Sequence, residues 1–304
     1  MKKVHSRWRR MFYAPVCALV FGVLLTSCAG EASPRLKLPA KNVDQWTMPL
    51  NQYRQSLYED FAEGYADKLA AKACVEEHGI AWPVPYDDLS LRSPTLNAVG
   101  QRIFNREIAS TWGYQVAPIM RPNRGEWRAF DDAVAAIDDA QFEAVVRPCQ
   151  RKVEEEQLPL SQDDTNYVNA LAMDADIRSR ESGDVKKADR RWRECMAPLG
   201  VSDLADTPER MPTESQQRAW GTFREKDGGA VMDKPSDAQL KAAVFDYDCQ
   251  VTSGWLKARY DTTWDAEVEI LAKNSDEIIR RKAKADAIAK KVAKIIAENA
   301  PSAP

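Results

Sequence analysis

The chain has 304 residues, 13 glycines, 29% charged residues and a formal net charge of −3 at pH 7. An acidic chain of this kind is a poor general binder of nucleic acid. Scarce glycine, plentiful Ala, Glu, Lys and Arg, and little β-branched alternation predict an all-α protein.

Lys2, Lys3, Arg7, Arg9 and Arg10 open the chain without an acid. Phe12–Leu25 is then almost wholly apolar, too short for a comfortable membrane span of about 20 residues. Leu25-Thr26-Ser27-Cys28 closes the run and resembles the lipobox of bacterial lipoproteins. The resemblance implies that residues 1–27 are a cleaved signal peptide. Cys28 would then carry thioether-linked diacylglycerol and hold the protein on the extracytoplasmic face of the cell membrane, where two or more acyl chains anchor stably and one does not. The plainer alternative is a secretory leader with a chance cysteine. Arg9-Arg10-Met11-Phe12 is similar to the twin-arginine export motif, though Trp8 stands where Ser or Thr is usual; the simpler view is a general leader. Loss of residues 1–27 takes the net charge from −3 to −8 and leaves 277 residues.

Residues 28–46, with Pro34 and Pro39, read as a flexible tether. Thr47 and Pro49 suit the start of a helix carrying Leu50, Tyr53, Leu57, Phe61, Tyr65 and Leu69 on one face and ending at Gly79. Trp82-Pro83-Val84-Pro85-Tyr86 must be extended. Ser93-Pro94 is expected to restart a helix that ends at Gly113, with Leu96, Val99, Ile103, Phe104 and Ile108 inward. Met120–Gly125 is expected as a loop, and 127–157 as a helix that Pro148 kinks or breaks. One long helix is expected over 165–198 and a short one over 214–225, broken by Asp227-Gly228-Gly229. Ser236 with Gln239 forms a capping box for a last section running to about 299, with one interruption at Ser253-Gly254.

Cys74, Cys149, Cys195 and Cys249 remain beside Cys28 after processing. An even set in an exported chain reads as two disulfides, with three possible connectivities. Their spacings are too long for a compact zinc motif, and with only His78 left no metal site or cofactor is expected. Two stretches echo each other. Cys74–Gly79 and Cys195–Gly200 both read C-x4-G at a helix end. Asp139-Ala140-Gln141 leads to Cys149, as Asp237-Ala238-Gln239 leads to Cys249. A repeated helical unit, 47–160 and 161–260, with one disulfide closing each, accounts for the echo and pairs Cys74 with Cys149 and Cys195 with Cys249. Chance likeness among Ala- and Asp-rich helices is the alternative. The pattern resembles secreted proteins and lipoproteins of actinobacteria that have no assigned activity, over about residues 50–260. That resemblance implies a Gram-positive envelope location and a helical fold, and no chemistry.

From Trp264 to Ile296, residues recur at alternating steps of four and three, a heptad seam with Ser275 and Lys282 as its polar members. The helix over 261–300 could pair with a partner helix or its own copy, lie on anionic lipid, or pack as far as Ile279 and then project. The architecture expected is a bundle of long antiparallel helices, stapled by disulfides, with that helix projecting.

The acidic pairs Asp87-Asp88, Asp131-Asp132, Asp138-Asp139 and Asp163-Asp164 suit helix starts better than catalysis, since adjacent residues on a helix do not face each other. No phosphate loop, GxSxG or SxxK stands in a credible context. The expected function is therefore a non-enzymatic structural or protein-interaction role in the envelope. The rivals are a binding module for wall glycan or peptide, with Trp82, Tyr86 and Trp112 lining the site, and a carboxylate-based wall hydrolase, for which no acid pair can be named.

Overall fold

The computed structural model describes residues 37–156, 162–222 and 234–303. The leader, Cys28, the first part of the tether, Pro159 and the Asp227–Gly229 break lie outside the described residues. Helices dominate what is described, and the only β-pairings there are the isolated bridges Asn42↔Thr47 and Leu96↔Arg102. No helix among the described residues is long and apolar enough to cross a membrane.

The described chain begins where a tether is expected, yet residues 41–50 lie along a helix. Lys41 pairs with Asp261 at 2.8 Å, the Tyr260 hydroxyl accepts from Asn42 N and donates to Thr47 O, and Met48 and Leu50 are buried. Thr47 caps nothing. Helix α1 (Leu57–Glu77) starts at Ser56, whose capping box with Glu59 satisfies two end groups reciprocally. It ends with Gly79 at φ +78°, the left-handed position that glycine adopts without strain.

Ser93-Pro94 starts no helix. Ser93 Oγ donates to Ala117 O at 2.8 Å, and Asn97 Oδ1 accepts from the backbone of Val99 and Gln101. These bonds hold 93–104 as a folded loop, because the side-chain oxygens that favour a cap also serve turns. α2 (Arg106–Trp112) follows, capped by Asn105 and stopped by Gly113. α3 (Arg124–Ala135) replaces the end of the expected loop. Asp138 caps α4 (Asp139–Gln141), which runs through a π-helical turn, Phe142–Val146, into α5 (Arg147–Glu156). The wide turn comes just before Pro148, which has no N–H to donate backward.

The helix expected over 165–198 is two. α6 (Gln162–Glu181) stops at Ser182, whose hydroxyl caps α7 (Gly183–Met196). A 3-10 turn, Pro208–Arg210, and short α8 (Glu214–Ala219) lead on to α9 (Asp237–Thr252), capped by Ser236. Gly254 turns the chain into α10 (Trp255–Lys273), and Asn274 adds a second, unexpected interruption before α11 (Ser275–Asn299).

Cys74 is bonded to Cys149 and Cys195 to Cys249. Each bridge joins two packed helices, α1 with α5 and α7 with α9. Two apolar clusters form around them. One holds Tyr65, Leu69, Val75, Trp82, Phe130 and Val146; the other holds Ala109, Tyr114, Trp192, Met196 and Met211. The halves of the echo do not separate cleanly, since α2 packs on α9. Nor does the C-terminal helix project. α11 packs on α1 and contributes Ile288, Val292 and Ile295 to the first cluster.

Ile288→Ala is therefore expected to cost about 2–5 kcal/mol in urea unfolding of the oxidised protein. A projecting helix would give a change within about 0.5 kcal/mol.

Candidate functional site

The three aromatics expected to line one site do not meet. Trp82 is 2% exposed, its ring edge-on to Phe130 and its Nε1 donating to Lys68 O, so it is core. Tyr86 contributes its carbonyl, which accepts from Asn123 Nδ2 and Trp127 Nε1 and ties its segment to α3. Trp112 alone lines a depression, a polar surface cleft of about 650 Å³ with Tyr58, Arg92 and Asn105. There the Arg92 guanidinium stacks 3.9 Å from the Tyr58 ring, already occupied by an internal partner. His78 comes within 4.8 Å of the Cys74 and Cys149 sulfurs. Those sulfurs are bonded to each other, so neither offers the thiolate that a metal needs.

A second depression has its own chemistry. A cavity of about 260 Å³ forms where five segments converge. The 42–47 turn brings Trp46, the return of the 93–104 loop brings Gln101, Arg102 and Phe104, α6 brings Asp176, the 3-10 turn brings Glu209, and the α9–α10 junction brings Gln250, Trp255 and Arg259.

Arg259 is the floor. It is 1% exposed, and its Nε donates to Glu209 at 2.8 Å, its Nη1 to Thr263 Oγ1 at 2.7 Å and its Nη2 to Asp176. Arg180 reaches the other oxygens of both acids, at 3.0 Å on Asp176 and 3.3 Å on Glu209. Two carboxylates thus converge, as a hydrolase would require, but on two guanidinium groups. That arrangement suits neutralising a buried cation.

The walls are aromatic. Trp255 is buried, and its Nε1 is fixed by Asp189 Oδ1 at 2.8 Å. Phe104 is stacked on Tyr114 at 5.6 Å. Trp46 is the one non-glycine residue with positive φ among the described residues, at +48°. A left-handed backbone costs a bulky residue about 1–3 kcal/mol and persists only where surroundings impose it. Here the Asn42↔Thr47 bridge, the two bonds from Asn51 and Asn97 to Trp46 O, and edge contact with Tyr260 at 5.4 Å impose it.

Arg102 stands at the side. Its Nη1 donates to Tyr114 O at 3.1 Å and its guanidinium lies 5.6 Å from the Phe104 ring centroid. It is solvent-accessible, yet it lies in a concavity where desolvation lowers its pKa. Behind it, Asp246 on α9 is fully buried. Its carboxylate accepts from Trp192 Nε1 at 2.8 Å, Gln250 Nε2 at 3.0 Å and Tyr114 Oη at 3.1 Å. Burial outweighs these bonds and pushes the carboxyl up to about 6.

A longer apolar groove of about 380 Å³ runs between α1 and α11, floored by Ala285, Ile288, Ala289, Val292 and Ile296 and rimmed by Arg54 and Glu63. No protein family, curated protein or solved structure matches the chain.

No cavity residue was singled out in the sequence as a ligand contact; Ile103 and Phe104 were expected only on the inward face of a helix. One signal was readable for Arg259: it sits four residues after Trp255 and four before Thr263, on a helix that also carries Tyr260 and Trp264. A cation beside so many aromatics needs buried partners.

Burial also raises Glu267 to about 7 and Asp67 to about 6. All three carboxyls have folded pKa values above their unfolded ones, so the folded state holds more protons between pH 4 and 7. Their contribution is present below the unfolded values and is lost as pH rises through about 6 to 7. Thermal unfolding should therefore show a higher Tm at pH 5 than at pH 7.5. Asp246→Asn keeps an acceptor for Trp192 and Gln250, removes the charge, and should shrink the stability difference between pH 5 and pH 7.5 by about 1–1.5 kcal/mol. An unchanged slope would show that Asp246 is ionised throughout.

Proposed function

We propose that the protein is a lipid-anchored envelope protein, held by diacylated Cys28 on the outer face of the cell membrane, that acts as a binding module for a small polar ligand of the wall and not as an enzyme. The observation that carries the binding reading is the cavity of Trp46, Phe104, Trp255 and Arg102: aromatic walls with a few convergent polar groups are the usual make-up of a ligand site. Its walls are preset, since Trp255 and Phe104 are locked by internal bonds and stacking, so little ordering cost falls on binding. The two disulfides accord with an oxidising location. The anchor rests on the Leu25–Cys28 motif.

The test is retention of the mature lipoprotein, in detergent, on purified wall material and on soluble fragments released from it. Wild type should be retained, and Trp46→Ala or Trp255→Ala should weaken retention at least tenfold with the disulfides intact. Retention equal in all three proteins would sink the cavity as the site. Intact mass of protein from its native membrane should show diacylglycerol on Cys28 and no free thiol before reduction; an unlipidated product would remove the anchor.

A second reading, self-association through the C-terminal helix, has one support: the exposed apolar groove along α11. Sedimentation should then show a dimer that Ala289→Glu converts to monomer; a monomeric wild type ends that reading.

A further inference from the structure

The charges around the cavity do not cancel evenly. Asp176 and Glu209 are shared by Arg259 and Arg180, two anions against two cations. Arg102 is left over. Among the described residues it makes no ion pair, and its one hydrogen bond to protein there goes to a neutral carbonyl, Tyr114 O. Asp246, the buried acid that its charge reaches through space, has its oxygens filled by Trp192, Gln250 and Tyr114. A guanidinium has five N–H donors in a fork that matches a carboxylate. Most of this fork is free, at the wall of a concavity whose other faces are aromatic.

The remaining lining defines the rest of the ligand. Trp46, Phe104 and Trp255 supply aromatic lining, while Gln101 and Gln250 supply amides suited to hydroxyl or amide groups. About 260 Å³ accommodates one substituted ring and not an extended oligomer. A peptide bound by strand pairing would need a sheet edge to add to, and the described residues hold isolated bridges only.

We propose that this cavity binds a single sugar ring bearing a carboxylate, with Arg102 as the carboxylate-reading residue and Trp46, presented by its left-handed backbone, as a ring-contacting wall. The proposal rests on the binding-module reading and names its ligand class. Bidentate recognition by Arg102 makes the acidic sugar preferred over its neutral counterpart. A carboxylate suits better than a phosphate, because a second negative charge would find no second free cation there among the described residues: Arg259 and Arg180 are already held by Asp176 and Glu209.

The pair of probes is N-acetylmuramic acid and N-acetylglucosamine, which differ by one lactyl ether and its carboxylate. Titration of the mature protein by calorimetry or tryptophan fluorescence should show the acidic sugar binding at least tenfold more tightly. Arg102→Gln should abolish that preference. Arg102→Lys keeps a positive charge beside Asp246 but not the fork, so it should fold as wild type and still lose most of the preference. Trp46→Ala should weaken both sugars together. If both sugars bind wild type alike, or if Arg102→Lys and Arg102→Gln keep the full preference, the carboxylate assignment falls while the binding module stands. If neither sugar binds but wall peptide fragments do, the sugar assignment falls and the module stands. If no wall-derived fragment binds at all, both fall.

Discussion

Three buried ionisable groups on two consecutive helices set the terms for this fold. Asp246 on α9 and Arg259 and Glu267 on α10 are each at most 3% exposed. An ion removed from water costs several kcal/mol unless its partners are in place. The partners come from far along the chain: Tyr114 and Trp192 for Asp246, Asp176 and Glu209 for Arg259, the backbone N–H of Leu50 for Glu267. Helices of Ala, Leu and Val can pack in many ways. An arrangement that left any of these three unpaired would carry a penalty comparable to much of a domain's net stability. The same requirement draws the N-terminal segment, the 93–104 loop and the 3-10 turn onto the α9–α10 junction, so the cavity is the place where those partners arrive.

The disulfides act on a different level. Each closes a long loop, 75 residues from Cys74 to Cys149 and 54 from Cys195 to Cys249, and so restrains the unfolded chain by about 2–4 kcal/mol. They fix which helices neighbour, α1 with α5 and α7 with α9, and leave the registry of α10 to the buried charges. α11 then closes the first cluster. Its seam at Ile288 and Val292 faces α1, while the alanines between leave the groove beside it. That is why a heptad pattern need not signal a second chain: the partner helix is in the same molecule.

Much of the helical architecture was legible. Cysteine parity and the C-x4-G echo led to the right pairing, and Gly79, Gly113 and Ser236 marked real helix ends because glycine conformation and capping are local chemistry. The failures were non-local. Ser93-Pro94 has cap chemistry, but Ala117 O claims the serine hydroxyl across 24 residues. Ser182 and Asn274 interrupt helices whose apolar periodicity carries on past them. The aromatic candidates failed for a related reason. Trp82 sits on a proline-stiffened segment that looks exposed in sequence, yet a carbonyl on α1 takes its indole N–H. Trp46, within an expected tether, gave no sign that Tyr260 would hold it in place.

This division bears on which cavity residue can read a ligand. A group that the fold needs for neutralisation is poorly placed to change partners, because releasing it re-exposes the cost it offsets. Arg259, Asp176 and Glu209 are committed in this sense, and Trp255 is committed to Asp189. Arg102 differs, since among the described residues its single protein bond goes to a neutral carbonyl. Its charge sits near a buried acid that protonates at about 6, so it serves that acid through space without contact. A guanidinium with its fork unfilled, backed by an aromatic ring and fixed by one bond, can accept a new anion without unmaking the structure that holds it. The selectivity of the cavity therefore concentrates on one residue, while the surrounding charges keep the cavity in shape.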